Sequence, residues 1–165
     1  MMTSSDAPLQ SHLPDRHSFV KILQLHQAMS RTVATTLAPC DIDLDDYLVL
    51  DEVFRRGRLD LTDLAGQVPI ERLAVSRAIQ NLLDRACLVP LSDLNRFSPP
   101  YDISPAGRAL HMRARALMMS LEDSLLKRSD KDFVAHLDIA IDTLHVIRDF
   151  TAFAAERHLA DQADD

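Results

Sequence analysis

Side chains that can read the edges of DNA base pairs are concentrated between Glu71 and Ala86. Arginine pairs with guanine, asparagine and glutamine pair with adenine, and serine grips phosphates. The segment's apolar residues follow helical spacing, which leaves the other side of the helix polar. The apolar positions are Leu73, Val75, Ile79, Leu82 and Leu83, and the polar ones include Arg72, Ser76, Arg77, Gln80 and Asn81. This pattern indicates either a DNA-reading helix or an ordinary solvated helix face.

No spacing typical of a catalytic or metal site accompanies this helix. The sequence contains no Gly-rich phosphate loop and no HExxH or GxSxG motif. Its histidines are dispersed, which disfavours a metal site. Cys40 and Cys87 are too few for a disulfide framework, and we expect Cys87 to be buried. Redox sensing by Cys40 stays open, although the adjacent Asp41 and Asp43 oppose a reactive thiolate. We expect no enzyme, no metal and no cofactor.

The charge of the chain is unevenly distributed. The net charge is −7, which counts against a nucleic-acid partner because phosphate contacts need Lys and Arg. Between Arg55 and Arg108, however, arginines outnumber acidic residues by eight to six. A locally basic middle between acidic flanks is what one segment facing a polyanion would show. The N-terminus has no basic region before an apolar core, and no stretch approaches about 18 apolar residues, so we expect a cytoplasmic protein without membrane association.

Helices dominate the predicted secondary structure, since glycine and aromatic residues are scarce. Pro39 ends the first amphipathic helix. Carboxylates between residues 41 and 46 cap the start of the second helix, and Gly57 ends it. Asp60 or Thr62 caps a short third helix that Pro69 stops. Ser104 caps a long helix with Pro105 in its first turn. The predicted helices are 17–37, 47–56, a short one from Leu61, 71–86, 105–128 and 130–159.

A small hairpin is predicted between the fourth and fifth helices. Its strands are Cys87–Leu91 and Tyr101–Ser104, and its polar loop is Ser92–Pro100. The order of helices followed by a hairpin and a long helix is that of a winged helix-turn-helix. In such a module the polar-faced helix enters the major groove, and the hairpin loop, called the wing, reaches the neighbouring backbone or the minor groove.

Two motifs resemble those of the MarR family of bacterial transcriptional regulators. Residues 64–85, LAGQVPIERLAVSRAIQNLLDR, resemble the family pattern LA-x-x-L…S-x-V-[ST]-R-x-[IV]-x-x-L-x-x-R. Residues 103–108, ISPAGR, resemble the LTPAGR segment that closes the wing, and the separation of the two motifs matches without a gap. The resemblance implies a homodimeric DNA-binding regulator. Its recognition-helix positions carry over to Arg72, Ala74, Ser76, Arg77, Gln80 and Asn81, of which Arg77 matches the most characteristic arginine.

The wing departs from the family pattern. Where the family has Asp-Arg-Arg, this sequence has Asn95-Arg96-Phe97, followed by Pro99 and Pro100. Ala86-Cys87 likewise replaces the usual Gly-Leu. The lost charges predict weaker or different wing contact, with Arg96 as the remaining charged DNA-binding candidate at the wing tip.

The resemblance also implies a dimer interface and an effector crevice. The first and last helices of two chains would form the interface, with candidates Phe19, Ile22, Phe133, Leu137, Leu144 and Ile147. Family members often release DNA when a small aromatic or phenolic anion enters the crevice between the dimer helices and the DNA-binding lobe. The candidate wall, where His or Arg could hold a carboxylate, is His17, His26, Met29, Arg31, Tyr47, Phe54, His111, Arg115 and Met118. The histidine and methionine side chains could instead be interface and core residues.

The sequence therefore predicts a mostly α (α+β) winged helix-turn-helix with long N- and C-terminal dimerisation helices. The predicted function is sequence-specific transcriptional regulation, as a repressor that binds a pseudo-palindromic operator in double-stranded DNA and that a small-molecule effector releases. The alternative is a ligand-sensing or protein-interaction dimer of the same fold with weakened DNA binding. The expected divisions are an N-terminal arm (1–14), a dimerisation helix (15–40), the DNA-binding lobe (41–104), C-terminal dimerisation helices (105–160) and a tail (161–165).

Overall fold

The computed structural model describes residues 16–91 and 99–145. The chain divides into two compact units, Met1–Met118 and Met119–Asp165. The first unit holds the helix-turn-helix, the hairpin and the first part of the long fifth helix. The predicted arm, the tail and most of the wing loop lie outside the described residues, and the predicted domain boundaries remain predictions.

Helix α1, Arg16–Leu37, matches the predicted first helix, and a 3-10 turn at Ala38–Cys40 follows it. Pro39 lies in that turn and has no N–H to continue the helix, which explains the predicted end. Only the C-terminal part of the helix joins the core, through Val33 and Leu37. Toward the N-terminus the large apolar side chains are exposed: Val20, Ile22, Leu23, Leu25 and Met29.

Helix α2, Leu44–Arg56, begins three residues before the predicted start at Tyr47. The earlier start follows from Asp43, whose Oδ1 accepts a hydrogen bond from the backbone N–H of Asp46 at 2.8 Å. A carboxylate at that position satisfies an otherwise unpaired N–H of the first turn. Gly57 ends the helix as predicted, with φ of 85°, a conformation that glycine adopts without steric cost.

Helix α3, Leu61–Gln67, and helix α4, Arg72–Asp84, form the helix-turn-helix. Asp60 rather than Thr62 caps α3, because its Oδ1 accepts from the N–H groups of Thr62 and Asp63. Helix α4 packs against α2 and α3, and its buried side chains are Val75, Ala78, Ile79 and Leu82. Leu73, which the sequence pattern grouped with the apolar face, is instead exposed.

The predicted hairpin is confirmed, with strand β1 at Leu88–Pro90 and strand β2 at Tyr101–Ile103. The strands are antiparallel, and Leu88 pairs with Ile103. Leu59 extends this small sheet by exchanging backbone hydrogen bonds with Tyr101. The hairpin is therefore tied to the segment between α2 and α3.

Helix α5, Pro105–Arg128, begins at a tightly packed junction with β1. The Ser104 hydroxyl donates to the carbonyl of Ala86 at 2.6 Å and accepts from the N–H of Gly107 at 2.9 Å. Gly107 is buried, and a Cβ there would lie 2.0 Å from the carbonyl oxygen of Cys87. Since no side chain fits that space, steric exclusion explains the glycine of the Ser-Pro-Ala-Gly motif. Ala86 adopts a left-handed conformation with φ of 52° at the turn into β1.

The second unit begins within α5 at Met119. A turn at residues 129–132 follows α5, and residues 133–145 form the described part of the sixth helix, α6. Asp130 accepts a hydrogen bond from the N–H of Asp132 at 2.9 Å and so caps the turn. No helix in the described ranges is long and apolar enough to cross a membrane.

Candidate DNA-binding surface and effector site

The outer surface of α4 carries most of the predicted DNA-binding residues. Arg72, Ser76 and Arg77 are exposed, and Ala74 is half-buried. The four buried side chains of α4 hold the opposite side of the helix against α2 and α3. Neither Arg72 nor Arg77 forms an ion pair within residues 16–91 and 99–145. Both guanidinium groups are therefore available to an anionic partner.

The C-terminal half of α4 is engaged in contacts within the chain. Gln80 Nε2 donates to Asp84 Oδ1 at 2.7 Å, and Asn81 Nδ2 donates to Asp46 Oδ1 at 3.4 Å. Arg85, directly after the helix, donates to the carbonyl groups of Cys40 and Asp41. Gln80 and Asn81 stay predicted DNA contacts, but each would have to exchange an existing hydrogen bond for one to a base.

Asp46 is a buried carboxylate at the contact between α2 and α4. Burial raises the pKa of Asp46, and the nearby Asp43 carboxylate adds to this effect. The hydrogen bond from Asn81 acts in the opposite direction because it stabilises the charged form. Asp46 also lines a surface cavity of about 580 Å³ together with Asp41, Asp43, Asn81, Asp84 and Arg85. Sequence reasoning had treated Asp46 only as a helix-capping residue.

The sequence pattern did not indicate that Leu73 lies on the surface of α4. Its side chain is 70% exposed, in the first turn of α4. At 100° per residue, Leu73 lies on the side of the helix opposite Val75 and Ile79, which are buried. The helical angle within the sequence could have revealed this position, because Leu73 falls in register with Ser76 and Arg77 rather than with the core residues.

The wing is described only at its base. Arg96 lies outside the described residues. Arg58, which precedes α3, has its Nε 3.6 Å from Oδ2 of Asp102 in β2. This pair of an exposed arginine and a half-buried carboxylate connects the base of the wing to the segment before the helix-turn-helix.

Three of the predicted effector-site residues form one cluster between α2 and α5. The His111 ring is fully buried and stacks on Phe54 with 4.0 Å between ring centroids, and Tyr47 lies beyond at 6.4 Å. His111 Nε2 is 2.8 Å from Oδ1 of Asp51, whereas its Nδ1 has no hydrogen-bond partner in the described part of the chain. Arg108 lies over the Phe54 ring, 5.6 Å from its centroid. Asp51 and Arg108 were not predicted members.

The other effector-site candidates are placed differently. His26 is exposed and lines a groove on α1 itself with Val20, Leu23, Gln24, Gln27 and Ser30. Met29 and Arg31 are exposed on the same helix, Arg115 is exposed on α5, and Met118 is half-buried. The side chain of His17 lies outside the described residues. Among the described candidates, the structure therefore brings three side chains together: the rings of Tyr47 and Phe54 both lie against His111.

The predicted dimer-interface residues differ in their exposure. Ile22 is 46% exposed on α1, and Leu144 is 48% exposed on α6. Phe133 and Leu137 are half-buried. The side chain of Phe19 and all of Ile147 lie outside the described residues. These exposures leave the interface assignment a prediction.

The two cysteines are both buried and unpaired. Burial raises the pKa of the Cys87 thiol, which disfavours its reactive thiolate form. Cys40 is enclosed in the 3-10 turn after α1, where its carbonyl accepts from Arg85. Among the described residues, no group of three His, Cys, Asp or Glu is positioned to hold a metal ion.

Comparisons with known proteins give matches at the level of structure. No family model matches the chain, and no curated protein sequence matches it. The ligand-free organohalide-sensing transcriptional regulator RdhR has a TM-score of 0.71 at 14% identity, covering 87% of this chain and 88% of its own. Staphylococcus aureus MarR with salicylate and kanamycin has a TM-score of 0.65 at 12% identity, covering 80% and 90%.

Apo wild-type MarR from E. coli has a TM-score of 0.59 at 18% identity, covering 79% of this chain and 96% of its own. Each of these three matches covers more than three quarters of the chain. Because these sequence identities are low, the matches support a shared fold and nothing further. The chain has the winged helix-turn-helix fold of the MarR-family transcriptional regulators.

Proposed function

We propose that this protein is a homodimeric, sequence-specific DNA-binding regulator of the MarR type. In this proposal it represses transcription from a pseudo-palindromic operator until a small aromatic or phenolic ligand releases it. The observation that carries the proposal is the pair of exposed arginines on α4, Arg72 and Arg77, which have no ion-pair partner among residues 16–91 and 99–145. Structural neighbours with this fold are described as transcriptional regulators.

The geometry of α4 suits major-groove binding. In helix-turn-helix proteins the N-terminal residues of the second helix contact base edges. Arg72, Ser76 and Arg77 occupy that part of α4, and the helix is held from behind by apolar packing on α2 and α3. An arginine here can bind guanine through two hydrogen bonds or neutralise a phosphate.

Charge reversal at Arg77 tests this assignment. Arg77→Glu should reduce operator binding by at least about 100-fold, because one base or phosphate contact is lost and repulsion is added. A matched control is Arg113→Glu, which makes the same charge change on an exposed position of α5. Binding is measured by gel shift on DNA selected from a random pool, and dimerisation by light scattering. Equal binding by Arg77→Glu and the wild type would remove α4 as the reading helix.

A second candidate function is a ligand-sensing or protein-interaction dimer that binds DNA weakly. The net charge of −7 and the Asn-Arg-Phe sequence in place of Asp-Arg-Arg in the wing favour it. A salt series separates the two functions. A phosphate-gripping protein loses affinity steeply as salt rises, with a log–log slope of about −0.9 per phosphate contact. A slope near zero with the selected DNA would favour the second function.

The proposed dimer uses the apolar surface of α1 and the C-terminal helices. Val20, Ile22, Leu23 and Leu25 are all about half exposed, and a group of exposed apolar side chains of this kind often marks a protein–protein interface. Ile22→Glu should shift the protein toward monomer in light scattering. Arg31→Glu, on the same helix, is the control for added negative charge. An unchanged dimer would remove Ile22 from the interface.

The proposed ligand site is the cluster of Tyr47, Phe54 and His111. Its aromatic rings offer stacking partners. Nδ1 of His111, which has no hydrogen-bond partner among the described residues, can accept a hydrogen bond from a phenolic hydroxyl. The other ring nitrogen, Nε2, is hydrogen-bonded to Asp51. Because His111 is fully buried, the half-buried Phe54 ring must move aside for a ligand to reach it. Solved neighbours hold salicylate in one case and 2,4-dichlorophenol in another, which supports the ligand class.

Two histidine variants locate the ligand. Salicylate and 2,4-dichlorophenol are used as probes in calorimetric titrations of the whole chain. His111→Phe should abolish binding while His26→Phe, on the outer surface of α1, should leave it unchanged. Asp51→Asn, which keeps a hydrogen-bonding group near the His111 ring, controls for loss of folding. Loss of binding in His26→Phe alone would place the ligand on α1 instead.

A further inference from the structure

We propose that Leu73 reads thymine by packing against its 5-methyl group, so that base reading is concentrated in the first two turns of α4. This inference rests on the proposed function of α4 as the recognition helix. It adds to that function a specificity-determining residue and names the base that this residue recognises.

The position of Leu73 places it within the reading surface. Residues three and four apart on a helix are neighbours, so Leu73 borders Ser76 and Arg77 on the exposed side of α4. Its side chain is 70% exposed, the largest exposure among the large apolar side chains of the described residues. A single exposed leucine needs no explanation by itself. Here it lies beside Arg77 on the helix surface and next to Arg72 along the chain, and neither cationic group has an ion-pair partner among the described residues. These two charges would bring a polyanion to this surface.

At the C-terminal end of α4, the polar side chains are already engaged in hydrogen bonds within the chain. Gln80 is bonded to Asp84, and Asn81 is bonded to Asp46. Asp84 also adds a negative charge that would repel phosphates. The free donors of the helix are therefore in its N-terminal half, which is the part of a recognition helix that contacts base edges.

Thymine is the base whose chemistry fits an exposed leucine. In the major groove the 5-methyl group of thymine is the apolar feature of the unmodified base pairs, and apolar side chains read it by direct contact. Burying a methyl-sized group is worth about 0.8 kcal/mol, which corresponds to about a fourfold change in affinity. A dimer on a pseudo-palindromic site would make the contact once in each half-site.

The test uses DNA selected from a random pool by the full chain. Each thymine of the selected duplex is replaced in turn by deoxyuridine, which removes the methyl group and keeps the base-pairing edge. We expect one thymine in each half-site to lose about fourfold in affinity on replacement. With Leu73→Ala the same replacement should have no effect. Leu44→Ala, a leucine in the first turn of α2 that is 37% exposed, is the matched control and should keep the wild-type sensitivity.

The outcomes distinguish this inference from the function on which it rests. If no sequence is selected, the proposed DNA-binding function fails and the inference fails with it. If a sequence is selected and binding is insensitive to every deoxyuridine, or if Leu73→Ala keeps the sensitivity, the role of Leu73 alone is overturned. A selected half-site without a thymine overturns it as well.

Discussion

The junction between the wing and α5 depends on the absence of a side chain at Gly107. An alanine Cβ there would lie 2.0 Å from the carbonyl oxygen of Cys87 and 2.8 Å from its carbonyl carbon. Both atoms belong to the backbone, so a flexible side chain cannot move aside, and α5 or β1 must shift by more than about 1 Å in a close-packed region. That shift would disturb the Ser104 hydroxyl, which bonds to both Ala86 and Gly107.

The expected cost of Gly107→Ala follows from these contacts. Overpacking costs about 1–3 kcal/mol, and loss of the serine cap adds about 1 kcal/mol. The higher helix propensity of alanine returns about 1 kcal/mol, which leaves a net loss of about 1–3 kcal/mol in the free energy of unfolding. Urea denaturation followed by circular dichroism measures this loss. The protein concentration is held fixed, because the proposed dimerisation would also contribute to stability.

Gly66→Ala is the matched control for this prediction. Gly66 lies in α3 with nothing within 4 Å of its added Cβ, so the same substitution meets open space. Helix propensity then predicts a gain of about 0.5–1 kcal/mol. The sign of the effect should therefore differ between the two glycines. A Gly107→Ala protein as stable as the wild type would refute the steric explanation of the Ser-Pro-Ala-Gly motif.

Two further substitutions test local features of the same unit. Ala86→Gly should stabilise the protein by about 0.5–1 kcal/mol in urea denaturation, because a left-handed conformation strains alanine. The control Ala116→Gly, within α5, should instead cost about 1 kcal/mol. Equal effects of the two substitutions would contradict the strain at Ala86. Asp46→Asn should remove a pH dependence. The raised pKa lets the folded state hold a proton that the unfolded state has lost, so wild-type stability falls as pH rises between the ordinary and raised values. Stability curves of Asp46→Asn should be flatter there, while Asp45→Asn, in the same turn, should keep the wild-type slope.

The helix ends were predictable because their signals are local. Pro39, Gly57 and Ser104 act within a few residues of their own positions, through a missing N–H, a left-handed turn and a side-chain cap. The start of α2 was placed three residues late, because several carboxylates preceded it and sequence alone did not identify Asp43 as the cap. The element types follow from the periodicity of apolar residues, which is also a short-range signal.

The contacts that define the site were less predictable because they join distant parts of the chain. The bond from Asn81 to Asp46 spans 35 residues, and the bond between His111 and Asp51 spans 60. Sequence reasoning identified His111 by residue type but had no means of pairing it with Asp51. It assigned Asn81 to DNA by its amide group, without the carboxylate that binds this amide in the folded chain. Residue type predicted the candidates, and only the packing of helices showed their partners.

Helix α2 connects the two proposed activities. On one side its Asp46 accepts a hydrogen bond from Asn81 of α4, and on the other its Asp51 and Phe54 contact His111 of α5. A ligand that displaces Phe54 acts on the same rigid helix that positions α4, so the two sites share a physical element. Coupling requires that the ligand bind better to one placement of α2 than to another. The part-buried Asp46–Asn81 hydrogen bond joins α2 to α4 directly, so a movement of α2 would reach the proposed DNA-reading helix through this contact.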